Sequence, residues 1–168
     1  MSLFNPRVNP LPDITIASVD DIPKLAAIPF TQIISVSDVE FRGDGRHEHL
    51  VGEFFPNSRV LYCYFNDIAI PSPDGPTEAE IARILMFSVS FTRFDKILVH
   101  CRAGISRSTA IAFAVTCQHS HPGEERKAFA YIRKLRPQLL PNRLIVITAD
   151  RLLERDGRMI AASAPLGF

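Results

Sequence analysis

The feature that most constrains the fold is a short apolar run that leads directly into a cysteine-containing loop and then into an Ala-rich segment. Residues 96–99 (KILV) include β-branched side chains and predict a buried strand. Residues 108–115 (STAIAFAV) are small or apolar on most faces and predict a buried helix. Unpaired N–H groups and the helix dipole both favour negative charge where such a helix begins. The junction at residues 100–107 (HCRAGISR) is therefore a predicted anion site.

The spacing within this loop predicts its chemistry. Cys101 and Arg107 are separated by five residues, whose N–H groups can form a nest around a tetrahedral oxyanion. The planar guanidinium of Arg107 can bind two oxygens at once, and Gly104 permits the tight curvature that a side chain would obstruct. Cys101 would lie at the base of the nest as a thiolate, because a helix N-terminus favours the ionised form. Ser108 could donate its hydroxyl to the sulfur, and His100 is predicted to brace the loop through a backbone carbonyl.

Residues 100–108 resemble the signature of the cysteine-based protein tyrosine phosphatases, which is HCxxxxxR followed by Ser or Thr. The amino-acid sequence of the loop is most similar to the loop sequences of the dual-specificity branch of that family. The resemblance covers about residues 13–155 and implies that the phosphate is bound by the loop residues Arg102, Ala103, Gly104, Ile105, Ser106 and Arg107. Arg102 is expected to point outward from the loop, towards the substrate or towards solvent.

Apolar patterns elsewhere predict strands alternating with helices, followed by a run of helices. The predicted strands cover residues 14–17, 32–36, 59–65 and 96–99, and the predicted helices cover residues 18–28, 77–94, 108–115, 124–136 and 142–155. The apolar residues of the segment 37–58 show no regular spacing, so this segment is predicted to be a surface excursion of the chain. This order gives an α/β three-layer sandwich with a mainly parallel central sheet flanked by helices. Residues 1–12 contain three prolines and predict an irregular arm, ahead of a single catalytic domain at residues 13–168.

Enzymes of the family resembled here take the leaving-group proton from an aspartate on a loop before the cysteine. Asp67 follows the third predicted strand directly, whereas Asp74 lies in a Pro-Asp-Gly-Pro turn ahead of a helix cap. We favour Asp67, because a strand end fixes its direction towards the loop, and Asp74 remains the alternative. Asn142 either hydrogen-bonds the loop backbone or caps the last predicted helix, and the two roles are compatible.

Composition excludes several classes of protein. The formal net charge is +1, so the overall charge of the protein does not favour binding to nucleic acid or to a membrane surface. No apolar stretch has the length of a membrane span. The three cysteines are odd in number and widely spaced, which favours a reducing, cytoplasmic location. His47, Glu48 and His49 have no further ligand at a recognisable spacing, so we predict a solvated loop there and neither a metal nor a cofactor.

Together, the loop and the resemblance predict a phosphomonoester hydrolase that acts through a cysteinyl-phosphate intermediate. A phosphoprotein with phosphotyrosine is the favoured substrate, because only Arg102 is basic within the loop interior. A small phosphorylated metabolite, a phosphoinositide or an RNA 5′ end is the alternative substrate. Two functions of a different class are also kept as alternatives, a phosphate-binding pseudophosphatase without activity and a sulfurtransferase. The sequence makes no prediction of the oligomeric state.

Overall fold

Four parallel strands form one sheet in the computed structural model, which describes residues 11–164. The strands are β1 (Asp13–Ser18), β2 (Gln32–Ser37), β3 (Arg59–Tyr64) and β4 (Lys96–Cys101), and their order in the sheet is β1-β4-β2-β3. The predicted α/β class with a parallel central sheet is confirmed. The irregular arm predicted for residues 1–12 lies outside the described residues except for its last two positions.

Helices cover both faces of the sheet. They are α1 (Arg46–Phe54), α2 (Glu78–Ser88), α3 (Arg107–Gln118), α4 (Glu125–Leu135), α5 (Arg143–Leu152) and α6 (Arg158–Ser163), with 3₁₀ turns at Val19–Leu25 and Val39–Phe41. Because side chains alternate along a strand, Ile97 and Val99 of β4 pack into the large core shared with α2–α6. Leu98 packs on the other face, in a smaller core with the 3₁₀ turn at Val19–Leu25 and with α1. Every residue of α3 is buried, as its apolar sequence predicts.

The main error of the sequence prediction is α1, which lies within the predicted surface excursion of residues 37–58. His47, Leu50, Val51 and Phe54 occur at the i, i+3, i+4, i+7 spacing of an amphipathic helix. His47 and Val51 are buried, while Leu50 and Phe54 are partly buried against the smaller core. The stripe was missed because it is short and one of its positions is a histidine, so the prediction of a solvated loop at residues 47–49 is wrong.

Three further differences from the prediction concern the helices. The helix that follows Thr77 ends at Ser88 rather than at residue 94. The segment predicted as a helix to residue 28 is a 3₁₀ turn ending at Leu25, with Pro23 inside it, and proline cannot donate the hydrogen bond that an α-helix needs. The short helix α6 was not predicted at all.

Candidate active site

The cysteine loop joins the C-terminal end of β4 to the start of α3, so its position in the fold follows from the strand–loop–helix unit. Cys101 is the last residue of β4 and Arg107 is the first residue of α3. β4 lies between β1 and β2, and Ser18 at the end of β1 is in register with Cys101. The loop therefore lies at the C-terminal edge of the sheet, which is where ligands bind in open parallel sheets.

The carbonyl groups of the loop all point away from its centre. The Arg102 oxygen accepts from the Val19 N–H at 3.2 Å, and the Ile105 and Ser106 oxygens accept from the N–H groups of Leu140 (2.9 Å) and Asn142 (3.2 Å). The remaining two carbonyls, those of Ala103 and Gly104, accept from the Arg136 guanidinium at 3.4 and 2.9 Å.

The N–H groups of the same loop have no partners. No cis peptide bond is present in the described chain, and the N–H of a trans peptide points opposite to the preceding carbonyl. The N–H groups of residues 103–107 therefore point inward, and none of them donates to another group within residues 11–164. Five convergent, unpaired donors form an anion-binding concavity.

Gly104 permits this curvature by its backbone conformation and by its size. Its φ of +69° lies in the left-handed region, which side chains rarely adopt. A Cβ atom at this position would lie 2.6 Å from the carbonyl carbon of Ala17, at the end of β1. Glycine is therefore required where the loop packs against the end of the neighbouring strand.

Arg107 is buried, with 3% of its surface exposed, and its guanidinium is held from one side. Its Nη1 donates to Asp38 Oδ1 at 2.7 Å and to the Phe65 carbonyl at 2.6 Å. Nε is buried without a partner, and Nη2 donates to no group in the described chain. Because Nε–H and Nη2 form one edge of the planar guanidinium, this anchoring leaves a two-pronged donor for an anion.

Asp38 was not identified from the sequence. It follows β2 directly, and β2 is the immediate neighbour of β4 in the sheet. An acidic residue just after a strand, the same signal that singled out Asp67 after β3, could have identified it.

Cys101 and Ser108 are adjacent at the base of the loop. The Cys101 Sγ lies 3.2 Å from the Ser108 Oγ, and both residues are buried. A serine hydroxyl at this distance can donate a hydrogen bond to a thiolate, which stabilises the ionised sulfur. The other two cysteines, Cys63 and Cys117, are buried in the large core, and burial raises the pKa of the Cys63 thiol to about 12.

Asp67 contacts the cysteine loop, whereas the carboxylate of Asp74 does not. The Oδ1 of Asp67 accepts from Ser106 Oγ at 2.8 Å and from Asn142 Nδ2 at 2.7 Å. Asp74 is exposed, and within residues 11–164 only its backbone takes part in hydrogen bonds, one of them from the Asn66 N–H to its carbonyl.

Asn142 connects Asp67 to the start of α5. Its side-chain oxygen accepts from the Ile145 N–H at 3.1 Å and so caps the helix. Its Nδ2 donates to Asp67 and to the Ile68 carbonyl, and it is the backbone N–H that reaches the loop, at Ser106. Of the two roles predicted for Asn142, the helix cap is made by its side chain. The same side chain also hydrogen-bonds Asp67, the candidate acid, and so orients it.

His100 lies in a buried chain of hydrogen bonds behind the loop. The Ser35 Oγ is hydrogen-bonded to His100 Nε2 at 2.7 Å and to His47 Nε2 at 2.6 Å. Burial and, to a smaller extent, the nearby His47 together lower the pKa of His100 to about 3, although the backbone of Cys101 acts in the opposite direction. His100 is therefore neutral at physiological pH, and its Nε2 is hydrogen-bonded to the side-chain hydroxyl of Ser35.

The remaining sequence predictions concern the surface and the absence of a metal. Arg102 is exposed over 78% of its side chain, and its Nη1 lies 3.9 Å from Asp38 Oδ2. Residues 11–164 contain no cluster of three or more side chains that could hold a metal ion. No helix in the same range is long and apolar enough to cross a membrane.

Comparison with known proteins gives matches at the level of structure. No protein-family model matches the sequence, and a search of curated proteins found no match. Human DUSP28 is 20% identical with a TM-score of 0.61, over 90% of this chain and 98% of that chain. PTPMT1 in complex with PI(5)P is 16% identical with a TM-score of 0.58, over 90% and 95%. Tk-PTP in its active form is 18% identical with a TM-score of 0.58, over 85% and 92%.

These similarities define the fold. The chain has the fold of the dual-specificity branch of the cysteine-based protein tyrosine phosphatases, in agreement with the resemblance carried by residues 100–108. The structures match over nearly their whole lengths, so the similarity concerns the complete sheet and its helices.

Proposed function

We propose that this protein is a phosphomonoester hydrolase in which Cys101 is the nucleophile. The observation that carries the proposal is the loop itself, where five inward N–H groups and the free edge of the Arg107 guanidinium converge above a buried cysteine. These groups match the three equatorial oxygens that carry the charge during phosphoryl transfer. Binding an anion requires no nucleophile, so the presence of Cys101 beside Ser108 favours an enzyme over a phosphate-binding pseudophosphatase.

The first chemical step transfers the phosphoryl group to the enzyme. The Cys101 thiolate attacks phosphorus in line, a phosphorus–sulfur bond forms, and the bond from phosphorus to the leaving oxygen breaks. Asp67 gives its proton to that oxygen, a contribution of about 10²–10⁴ in rate. Its hydrogen bonds to Ser106 and Asn142 hold it at the rim of the loop, beside the leaving group.

The second step releases phosphate. Asp67, now a carboxylate, takes a proton from water as the water oxygen attacks phosphorus, and the phosphorus–sulfur bond breaks. The Ser108 hydroxyl, 3.2 Å from the sulfur, donates to the departing thiolate and makes it a better leaving group. Both steps use only the side chains and N–H groups of this chain, so we expect the activity to persist in excess EDTA.

We propose a phosphoprotein as the substrate, with phosphotyrosine preferred. Arg102 is the only basic residue between Cys101 and Arg107, whereas a polyphosphorylated inositol headgroup would need several cations around the loop. A phosphorylated metabolite and an RNA 5′ end remain the alternative substrates. We further propose that the protein acts in the cytoplasm, on the basis of its unpaired cysteines.

The test is hydrolysis of p-nitrophenyl phosphate by the wild-type protein and by Cys101→Ser. We expect the serine variant to lose turnover and still bind inorganic phosphate in calorimetry, because the loop N–H groups and Arg107 remain. Cys117→Ala is the matched control, since it removes a cysteine away from the loop, and it should retain activity. Turnover by the serine variant would remove Cys101 as nucleophile. Cyanide-dependent consumption of thiosulfate without phosphate release would instead indicate a sulfurtransferase.

A further inference from the structure

A groove of about 320 Å³ lies between helices α4 and α6. Its lining consists of two arginines, a phenylalanine and three alanines, namely Arg126, Phe129, Ala130, Arg133, Ala161 and Ala162. None of these residues belongs to the cysteine loop or contacts the candidate acid, so the groove is a separate site from the one described above.

The four lining residues of α4 form one face of that helix. Phe129 and Ala130 lie three and four positions after Arg126, and four and three positions before Arg133, which are the spacings of neighbours on a helix surface. Phe129 is 4% exposed, and its ring packs edge-on against Phe113 with the ring centroids 5.2 Å apart. The two arginines are therefore placed about 10.5 Å apart along the helix axis, on either side of a residue anchored in the large core.

The two arginines have no carboxylate partner in the part of the chain that the structure describes. No acidic residue lies three or four positions from either of them in the sequence, so α4 itself offers no ion pair to Arg126 or Arg133. The acidic residues at the start of α4 are already paired, Glu124 with a lysine one turn further on at 3.2 Å and Glu125 with Arg155 at 3.1 Å. Both guanidinium groups are thus available to an anion from outside.

The groove is also partly organised for binding. The guanidinium of Arg133 lies over the Phe129 ring, 5.3 Å from its centroid, and an arginine stacked on an aromatic ring loses less freedom when it binds a carboxylate. Ala130 of α4 and Ala161 of α6 are exposed, and their short side chains leave open apolar space between the two helices. Positive charge and apolar surface therefore occur together in one concave site.

We propose that this groove binds an acidic peptide segment of a partner protein, with its carboxylates on Arg126 and Arg133 and an apolar side chain seated between them. Charge complementarity carries the choice of partner, because a planar guanidinium binds a carboxylate through two parallel hydrogen bonds. Ala130 and Ala161 supply the contact for the apolar side chain. The proposal goes beyond the hydrolase activity and does not depend on it.

The surface favours a peptide over a membrane or a polynucleotide. Attachment to an anionic bilayer combines basic side chains with apolar ones that enter the lipid, and none of the large apolar side chains that are exposed within residues 11–164 lies on α4 or α6. Single-stranded nucleic acid is bound by stacking its bases on aromatic rings, whereas the Phe129 ring is almost fully buried. A narrow groove between two helices instead fits a peptide chain.

The test measures binding of a fluorescein-labelled peptide, Glu-Glu-Leu-Glu-Glu, by fluorescence anisotropy. The double variant Arg126→Glu/Arg133→Glu should raise Kd by about 10-fold or more, because each reversal replaces an attraction with a repulsion. Lys24→Glu/Arg46→Glu is the matched control. It makes the same change of net charge at exposed positions on the other face of the sheet, and it should leave Kd within about 2-fold of wild type because salt screens distant charges.

The apolar part of the groove is tested separately. A peptide with Ser in place of Leu should bind about 10-fold more weakly, because it buries less apolar surface. Ala161→Gln, which fills the groove without changing its charge, should also weaken binding of the Leu peptide. Cys101→Ser should bind that peptide as wild type does, and the Arg126→Glu/Arg133→Glu variant should hydrolyse p-nitrophenyl phosphate as wild type does, because the two sites share no residue.

The outcomes are distinct. Absence of binding up to about 1 mM peptide would overturn the proposal, and so would equal weakening by the two double variants, since binding would then follow net charge alone. Displacement of the peptide by inorganic phosphate would overturn it by placing the peptide in the cysteine loop. Binding of phosphatidylserine vesicles but not of the peptide, lost in Arg126→Glu/Arg133→Glu, would assign the surface to a membrane.

Two further measurements keep the proposal testable on its own. If the double variant fails to fold, Arg126→Gln at an exposed position replaces it, and it should raise Kd by about 1.5- to 5-fold, the worth of one exposed ion pair. An unchanged Kd in that variant would contradict the proposal. Because anisotropy requires no turnover, failure of the wild-type protein to hydrolyse p-nitrophenyl phosphate would overturn the proposed hydrolase and leave the peptide site standing.

Discussion

The Arg107 guanidinium is fixed by Asp38, whose Oδ1 lies 2.7 Å from its Nη1. The contact joins the end of β2 to the start of α3, and the side chain of Arg107 is 4% exposed. Since Nη1 is occupied by Asp38 and by the Phe65 carbonyl, the edge formed by Nε and Nη2 is the one that can receive an oxyanion. Asp38 is thus a positioning residue for the proposed reaction.

Replacing Asp38 should weaken anion binding as well as turnover. A hydrogen bond to a charged group contributes about 1.5–3 kcal/mol, so Asp38→Ala should lower kcat/KM for p-nitrophenyl phosphate by about 10- to 150-fold. Asp38→Asn retains an acceptor and should fall between Asp38→Ala and the wild type. Glu40→Ala, which removes a nearby carboxylate that does not touch Arg107, is the control. Wild-type kcat/KM with tighter phosphate binding in Asp38→Ala would mean that Asp38 only reduces the positive charge of the site.

Arg107→Lys should be severely impaired although it keeps the charge. A lysine ammonium is a point donor and cannot bind two oxygens with one planar edge, and loss of one such interaction in other enzymes costs about 10²–10³ in kcat. Steady-state kinetics on p-nitrophenyl phosphate measure this, and Arg102→Lys at the exposed position of the loop should change kcat little. Activity of the Arg107→Lys variant within a few-fold of wild type would contradict two-pronged binding.

Asp67, rather than Asp74, is predicted to be the general acid. Asp67→Asn should slow a phosphotyrosine peptide by about 10²–10⁴ and p-nitrophenyl phosphate much less, because a poor leaving group needs the proton most. It should also flatten one limb of the pH–rate profile. Asp74→Asn is the matched variant and should behave like wild type on both substrates across pH. The reverse pattern would assign the acid to Asp74.

The stability of the fold should decrease as the pH falls below about 6.5. Burial lowers the pKa of His100 to about 3 and also lowers the pKa of His47 and of His119. Between pH 6.5 and 3 the unfolded chain therefore binds more protons at these histidines than the folded one, so their contribution to the free energy of unfolding rises with pH in this range.

Urea denaturation at several pH values would measure this dependence. One histidine contributes up to about 1.4 kcal/mol per pH unit, so His100→Asn should reduce the slope between about pH 6 and 4 by about that amount. His121→Gln, at an exposed position, should leave the slope unchanged. Equal slopes in wild type and His100→Asn would show that His100 accepts a proton in the folded state.

The sequence predicted the elements whose patterns are local. The strand at residues 96–99, the loop and the buried helix α3 were all recognisable, because a fully apolar strand and helix separated by one tight loop leave few arrangements open. The four strands and the parallel sheet followed from alternation of strands with helices. Helix α1 was missed because four positions of weak amphipathic character cannot be distinguished from a polar excursion until the sheet that they cover is present.

The sequence by itself determined the nest-forming spacing of Cys101 and Arg107, the glycine that the curvature needs, and the candidate acid after the third strand. Only the tertiary structure decided what orients these groups. Asp38 reaches Arg107 across 69 positions of sequence and Asn142 reaches Asp67 across 75. Such partners are brought together by strand order and by helix packing, which no local pattern encodes.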